Sequence, residues 1–218
     1  YGARLAQALK TLSPDARLCG MGGPEMQRAG VERMVDSTNM GVVGLVEVIK
    51  HLKLFRRTMQ YLQRRAQEER PDAVVLIDYP GFNLRLARKL DRLDLKVVYY
   101  VSPQVWAWGR RRVHKIARCV DRMLVIFPFE IEAYIGTDLD VRFVGHPLVE
   151  ILGEQRDTSI DRSDDTVVLL PGSRENEIRT LLPPMLETAH WLHKRKPHLN
   201  FVVSAPATRV ADLCRDIV

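Results

Sequence analysis

The chain has 218 residues, of which 46% are hydrophobic and 28% charged, and its formal net charge is +6. This composition is that of a globular protein with room for one large or two smaller domains, and no apolar run is long enough to span a bilayer. Three widely separated cysteines fit reduced thiols in a cytoplasmic protein better than a disulfide framework, and they form no zinc-binding pattern, so we expect no metal site.

The first segment is predicted to be a helix followed by a short strand. Residues Tyr1 to Leu12 place apolar side chains on one helical face, and Arg17 to Met21 follow a Ser-Pro-Asp break as a strand. Because the sequence opens directly inside a helix, we expect a strand and a loop upstream of Tyr1. One long helical pattern then runs from Met40 to Arg70 and ends before Pro71.

Strands that are apolar throughout alternate with helices in the next part of the chain. The predicted strands are 73–77, 96–101, 122–127 and 141–144, with helices at 84–93 and 110–119 between them. Such strands are typical of a parallel sheet that is covered on both faces, and the predicted fold class is therefore α/β.

The composition becomes polar and acidic between Glu150 and Asp165, which indicates a linker. A strand at 166–170, a helix from Glu175 and a strand at 200–204 follow it, with a last helix reaching Val218. We predict a first domain at 1–149, a linker at 150–165 and the start of a second α/β domain at 166–218.

Polar and aromatic clusters follow the predicted strands, where open α/β sheets bind ligands. We expect all five of them to gather on one sheet edge. The clusters are Asp78–Asn83, Ser102–Trp108, Phe127–Glu130, Gly145–Leu148 and Gly172–Arg174.

Two of these clusters have alternative interpretations. Asp78, partly shielded at a strand end, is suited to remove a proton from a hydroxyl, or else to cap the following helix. Gly172-Ser173-Arg174 opens a helix and is suited to bind phosphate, although a well-capped helix with a surface arginine has the same sequence.

The aromatic and histidine residues are also open to two interpretations. Trp106 and Trp108 are suited to stack on a sugar or base, or to lie in the core. His146, between Gly145 and Pro147, is suited to bind substrate or to fix its own loop.

The long helix carries more apolar side chains than one inward face holds, interleaved with cations such as Lys50 and Arg56. This pattern predicts either contact with an anionic membrane surface or a buried helix contact or dimer face. The predicted membrane-contact residues are Val46, Val48, Ile49, Leu52 and Phe55.

Taken together and in order, the segments GGPEM, MGVVGLVEVIKHL, IDYPGFN, YVSPQVWAW, FPFE, FVGHPL and LLPGSRENEI resemble the lipid-A-disaccharide synthase family. The resemblance runs from Tyr1 through at least Ile178. It implies a GT-B fold of two Rossmann-like domains, the second one incomplete here. It also implies an inverting transfer of 2,3-diacylglucosamine from its UDP derivative to 2,3-diacylglucosamine 1-phosphate, without a cofactor or bound metal.

Under this resemblance Asp78 is the expected general base and Arg174 the group that stabilises the departing diphosphate. The expected substrate-binding residues are Asn83, Ser102, Trp106, Trp108, His146, Ser173 and Glu177. Acylated substrates favour the membrane interpretation of the long helix, hence a cytoplasmic enzyme on the inner membrane of a Gram-negative bacterium. Homodimer formation is a further expectation.

Two other classes of function were considered. The first is another UDP-sugar enzyme, such as a peptidoglycan glycosyltransferase or a UDP-sugar epimerase, and YVSPQVWAW argues against both. The second is a non-catalytic nucleotide- or nucleic-acid-binding module. The chain has no interleaving of aromatic and basic residues on a predicted sheet face, so nucleic acid is not an expected partner.

Overall fold

The computed structural model describes residues 1–36, 48–107, 112–154, 164–205 and 208–217. The chain divides into two compact units, Tyr1–Gln155 and Arg156–Val218. Every strand pair in the described residues is parallel, and helices connect the strands. This confirms the predicted α/β class with parallel sheets.

The first unit contains six helices and six strands within its described residues. The helices are α1 (Gly2–Leu12), α2 (Pro24–Arg28), α3 (Val48–Glu69), α4 (Pro80–Asp91), α5 (Val113–Ala117) and α6 (Pro147–Glu154), with a 3-10 helix at Pro128–Tyr134. The strands are β1 (Cys19–Gly22), β2 (Glu32–Asp36), β3 (Val74–Ile77), β4 (Val97–Tyr100), β5 (Arg122–Val125) and β6 (Asp140–Phe143).

Strands β3 to β6 form one sheet in the order of the sequence. Their apolar residues face helices, so Val97, Tyr99, Met123 and Val125 have no exposed surface. Helix α4 buries Phe82, Leu86, Ala87 and Leu90, which lie on one face of the helix, in the same core. The core therefore lies directly beneath the strand ends that carry the polar clusters.

Strands β1 and β2 pair only with each other among the described strands. A cavity of about 580 Å³ lies between this pair and the larger sheet, and β1, β3, α1 and α3 all contribute to its lining. Most of the lining residues are apolar, such as Leu5, Met21 and Leu76.

The second unit contains strands β7 (Thr166–Leu169) and β8 (Asn200–Val203) with helices α7 (Glu175–Arg195) and α8 (Thr208–Ile217). Ile178 and Leu182 of α7 are fully buried, and Cys214 of α8 lies in the same cluster.

Three helices begin at a proline that follows a predicted strand. Helix α4 begins at Pro80 rather than Leu84, the 3-10 helix begins at Pro128, and α6 begins at Pro147. Proline favours the first helical position because its missing N–H has no partner to lose there. Helix α6 also occupies the first residues of the segment predicted to be a linker.

No helix in the described part of the chain is long and apolar enough to cross a membrane. The same residues contain no group of three His, Cys, Asp or Glu side chains arranged to hold a metal ion.

Candidate active site

Four of the five polar clusters lie at the carboxyl edge of the β3–β6 sheet. The strand ends are in register, since Ile77 pairs with Tyr100 and Val125 with Phe143. The fifth cluster, Gly172–Arg174, follows β7 in the second unit and belongs to a different sheet. The expectation that all five share one sheet edge is therefore wrong, because the chain builds separate sheets in its two units.

Asp78 occupies a strained position between β3 and α4. Asp78 and Tyr79 have φ angles of 48° and 46°, a left-handed conformation that costs a non-glycine residue roughly 1–2 kcal/mol. The Asp78 N–H donates to the Tyr100 carbonyl at 2.8 Å, and the Asp78 carbonyl accepts a bond from the Tyr99 hydroxyl at 2.7 Å. The backbone is thus held on both sides in an unfavourable conformation.

The Asp78 side chain is exposed, not shielded as expected. Tyr79 is the N-cap of α4, and no side chain caps this helix. The capping interpretation of Asp78 is therefore wrong. Strained backbone at an exposed carboxylate is a feature that concentrates at functional sites.

Asn83 supports this turn from below. It is 7% exposed, and its Nδ2 donates to the carbonyls of Ile77 at 3.0 Å and of Asp78 at 2.7 Å. The structure thus corrects the expectation that Asn83 contacts substrate, since its amide group is buried and bonded to the turn.

Ser102 has a similar supporting position at the end of β4. It is 5% exposed, and its hydroxyl is bonded to the Tyr134 hydroxyl at 2.8 Å and to the Pro103 carbonyl at 3.0 Å. Direct binding of substrate by Ser102 is therefore also corrected. Val101 before it has a φ of 67°, which is unusual for a β-branched residue and places a second strained residue at this edge.

Two buried tyrosines, Tyr99 and Tyr134, connect these turns to the core. Burial raises the pKa of Tyr134 to about 12, against the lesser effect of its bond to Ser102. Burial, and then the charge of Asp78, also raise the pKa of Tyr99. Both hydroxyls therefore stay protonated at neutral pH and remain hydrogen-bond donors.

Trp106 lies on the surface and does not belong to the core. The side chain is 43% exposed, and its ring meets Phe129 edge-to-face at 5.3 Å between centroids. Phe129 in turn stacks on Phe127 at 5.4 Å. Trp108 lies outside the described residues.

His146 is half-buried after β6. Its Nδ1 accepts the Leu148 N–H at 3.1 Å, so in the neutral ring the proton is on Nε2. The ring also lies 5.3 Å from Phe127. The loop-fixing interpretation of His146 is therefore confirmed, while substrate binding through Nε2 stays a prediction.

Glu130 ends the predicted cluster Phe127–Glu130, but the sequence analysis gave it no role. It is 2% exposed, and its carboxylate accepts the backbone N–H groups of Ile126 at 3.2 Å and Phe127 at 3.0 Å. The sequence signal is Pro128 followed two residues later by a glutamate, which is typical of a helix start.

Phe55 of the long helix packs inward. It is half-buried against the core, with ring centroids 5.7 Å from Phe82 and 6.0 Å from Tyr79. The expectation that Phe55 contacts a membrane is therefore corrected, because its ring packs against the site turn. Val46 lies outside the described residues, and so do the side chains of Val48, Ile49 and Leu52.

In the second unit, Gly172 to Arg174 form the turn before α7. Gly172 has a φ of 107°, and a Cβ there would lie 2.8 Å from Glu177 Oε2, so only glycine suits this turn. Ser173 and Arg174 are exposed.

Glu177 already holds the start of α7. Its carboxylate accepts the Arg174 backbone N–H at 3.4 Å and pairs with the Arg174 guanidinium at 2.7 Å. This pairing with Arg174 lowers the pKa of Glu177. A negative charge thus occupies the place where the sequence predicts a phosphate.

The chain matches known proteins over nearly its whole length. A protein-family model described as lipid-A-disaccharide synthetase (LpxB) matches residues 1–216. The chain is 45% identical over 215 residues to a lipid-A-disaccharide synthase of Trichlorobacter lovleyi and 41% identical over 215 residues to one of Nitrosococcus oceani. Each alignment covers 95% of this chain and 56% of the relative, so the chain spans about half the length of these curated relatives.

Two solved structures share the fold. The structure of S. aureus MnaA with UDP has a TM-score of 0.63 at 10% identity, covering 99% of this chain and 63% of that one. The UDP-GlcNAc 2-epimerase from Neisseria meningitidis bound to UDP-GlcNAc has a TM-score of 0.60 at 12% identity, covering 100% of this chain and 66% of that one. At these identities the likeness concerns the fold alone, and it confirms the predicted GT-B type.

Proposed function

The chain belongs to the lipid-A-disaccharide synthetase family, and from this premise we propose that the full-length protein is an inverting glycosyltransferase. It transfers 2,3-diacylglucosamine from its UDP derivative to the 6-hydroxyl of 2,3-diacylglucosamine 1-phosphate. The products are the lipid A disaccharide 1-phosphate and UDP. The activity is assigned to the full-length protein because this chain spans about half of its relatives.

The position of Asp78 is the observation that carries this proposal. An inverting transfer needs one base beside the attacking hydroxyl, and the Asp78 carboxylate is exposed at the sheet edge where ligands of this fold class bind. The Tyr99 and Asn83 bonds to the Asp78 carbonyl hold the turn in its strained form. The carboxylate therefore needs little reorganisation before it accepts a proton.

The chemical step is a single displacement at the anomeric carbon of the donor. The acceptor 6-oxygen forms the new bond to C1 while its proton passes to the Asp78 carboxylate. The bond from C1 to the phosphate oxygen breaks, and its electron pair leaves with UDP. Attack from the side opposite to the leaving group accounts for inversion.

Arg174 and the start of α7 are assigned to the diphosphate of the donor. The Arg174 guanidinium is 81% exposed, and its partner Glu177 occupies the helix start with a carboxylate. A phosphate that binds there takes the place of this carboxylate and gains the Arg174 fork and the backbone N–H groups. Ser173 lies on the same turn and is assigned to donor binding.

The remaining assignments follow from the acylated substrates. The protein acts on the cytoplasmic side of the inner membrane, and the first part of α3 contacts the membrane surface, with exposed Lys53 and Arg56 facing anionic lipid. Trp106 and His146 contact the acceptor at the sheet edge. Trp108 remains assigned to substrate binding, and homodimer formation remains a prediction.

Epimerisation of a UDP-sugar is the alternative for this fold. The family match and the identity of 41–45% to lipid-A-disaccharide synthases favour the transferase over this reaction. The two reactions differ in their products, since only the transferase releases UDP in proportion to disaccharide.

The test is UDP release by the full-length protein from the two acylated sugars in mixed detergent micelles. The wild type is expected to release one UDP per disaccharide formed. Asp78→Asn is expected to lower kcat roughly 10²- to 10⁴-fold with little change in KM, because it removes the base and keeps the side-chain shape.

Asp94→Asn is the matched control. Asp94 is also an exposed aspartate with a positive φ, 54°, but it lies in the turn after α4, away from the carboxyl edge. Its substitution is expected to leave kcat unchanged. Unchanged turnover in Asp78→Asn would disprove the base assignment, and a wild type that forms no disaccharide would disprove the transferase.

A further inference from the structure

We propose that four rings at the carboxyl edge of the first unit bind an acyl chain of the lipid substrate. These rings, called here the aromatic row, are Trp106, Phe129, Phe127 and His146. The inference rests on the proposed function, since it assigns part of the acceptor to a surface of the same site. It goes beyond that function because it names a hydrocarbon subsite and two phenylalanines with no other role.

The aromatic row is continuous and exposed. Successive ring centroids lie 5.3, 5.4 and 5.3 Å apart, with interplanar angles of 90°, 14° and 52°. Trp106, Phe129 and Phe127 are 43%, 45% and 40% exposed. Contiguous exposed aromatic surface of this kind marks a binding surface more often than scattered single residues do.

The row is held rigidly from beneath. The buried Glu130 carboxylate accepts the Phe127 N–H at 3.0 Å, and Phe129 lies within the 3-10 helix that Glu130 caps. On the other side, the Leu148 N–H bond fixes His146. Because the backbone that carries these rings is held before a ligand arrives, little backbone entropy is lost when one binds.

The shape and chemistry of the row favour a hydrocarbon chain over a sugar ring. Each step between centroids exceeds 5 Å, so the row is longer than a single pyranose. Phe127 and Phe129 have no polar side-chain atom to bond a sugar hydroxyl. An extended acyl chain needs only a long apolar surface, which these two rings provide.

The row also lies within reach of the proposed base. Asp78 follows β3 and Phe127 follows β5, and one strand, β4, lies between them. Parallel strands are about 4.8 Å apart, so the two positions are separated by on the order of 10 Å along the edge. An acceptor whose 6-hydroxyl lies at Asp78 can therefore place an acyl chain on the row.

The experiment compares acceptors of different acyl length with the full-length protein. The acceptors are 2,3-diacylglucosamine 1-phosphates with long or short chains, at a fixed ratio of detergent to lipid. Phe129→Ala is expected to raise KM for the long-chain acceptor about tenfold, and to change KM for the short-chain acceptor less than twofold, because only the long chain covers the ring.

Two further variants distinguish an acyl chain from a sugar ring as the ligand of the aromatic row. Phe129→Leu keeps an apolar surface without a ring, so near wild-type KM is expected if an acyl chain lies there. A loss equal to that of Phe129→Ala would instead indicate stacking on a sugar and overturn the proposal. Ile135→Ala is the control, because Ile135 is an apolar residue outside the row that is 77% exposed. This variant is expected to leave KM unchanged for both the long-chain and the short-chain acceptor.

A binding measurement keeps the result independent of catalysis. Equilibrium binding of long- and short-chain 2,3-diacylglucosamine 1-phosphate is measured for the wild type and Phe129→Ala. If the wild type binds the long-chain acceptor more tightly and Phe129→Ala abolishes this preference, the aromatic row is supported. This holds even if the wild type transfers no sugar, and then only the proposed function fails. Equal losses for both chain lengths, or no preference in the wild type, would overturn the inference while transfer activity persists.

Discussion

Each of the two units has a glutamate at the third position of a helix, where it reaches back to the N-cap N–H. Glu130 in the first unit is 2% exposed and accepts two backbone N–H groups. Glu177 in the second unit has a side chain that is 39% exposed, and its carboxylate accepts the Arg174 N–H and pairs with the Arg174 guanidinium. The same local arrangement is thus buried in one unit and accessible to solvent in the other.

This difference corresponds to the chemistry assigned to each region. A base must be held in position before the reaction, and the turns around Asp78 are held by buried groups such as Tyr99 and Asn83. The donor diphosphate must bind and leave in every catalytic cycle. An exposed helix start suits this, because in the proposed mechanism the diphosphate takes the place of the Glu177 carboxylate there.

The largest predicted effect is on Glu130. Glu130→Ala leaves one buried and one partly buried N–H group without an acceptor, and we expect it to lower the free energy of unfolding of the first unit by about 3 kcal/mol. Glu177→Ala should have a much smaller effect, since water reaches its partners. Hydrogen exchange of peptides covering 126–134 and 173–180 in the full-length protein measures the stability lost in each variant. Similar losses in Glu130→Ala and Glu177→Ala would contradict the expected difference between the two glutamates.

The next effect is alkaline destabilisation of the first unit. The pKa of Tyr134 is about 12 when folded and about 10 when unfolded. Above pH 10 the unfolded chain therefore loses this proton first, and stability falls with pH by on the order of 2 kcal/mol by pH 12. Urea unfolding of the wild type and Tyr134→Phe between pH 8 and 11 tests this, and the same pH slope in both proteins would count against it.

A smaller effect is expected from relief of backbone strain. Asp94→Gly should raise the free energy of unfolding by about 0.5–1 kcal/mol, because glycine adopts a positive φ without a Cβ clash. Val101→Gly gains the same relief but loses a half-buried side chain, so its stability should change little while kcat falls. Thermal unfolding and turnover of both variants check this, and full activity in Val101→Gly would show that this strain has no role in the site.

The smallest effect concerns acid pH. Arg174 lowers the pKa of Glu177, so the stabilisation that this carboxylate gives to the start of α7 is fully present above its unfolded pKa of about 4.5. It is lost as pH falls through the lower folded value. Amide exchange of residues 173–178 measured from pH 6 to pH 3 should show faster local opening at the acid end. Glu177→Gln should abolish that dependence.

The sequence predicted the parts of the fold whose signal is local. Strands β3 to β6 were found, and β3 and β4 are apolar at every position. Strand β2 has the sequence ERMVD and no apolar run, and it was missed. The helix start at Glu175 was also found from local pattern, and so was the position of Asp78 at the end of β3.

The roles of Asn83 and Ser102 could not be predicted in the same way. The Ser102 hydroxyl is bonded to a tyrosine 32 residues away in sequence, and no periodicity encodes that contact. Likewise, the burial of Asn83 depends on how α4 packs on the sheet. Distant packing thus decides whether a polar residue near a strand end contacts ligand or supports the turn.

The cavity between the β1–β2 pair and β3 affects how this polypeptide behaves in solution. Strand edges that face a cavity carry backbone N–H and C=O groups able to pair with another chain. Among the described strands, β1 and β3 line this cavity, and each has one edge without a strand partner. Polypeptides limited to residues 1–218 should therefore self-associate with rising concentration, and a charged substitution on the cavity-facing edge, such as Val75→Lys, should reduce that tendency.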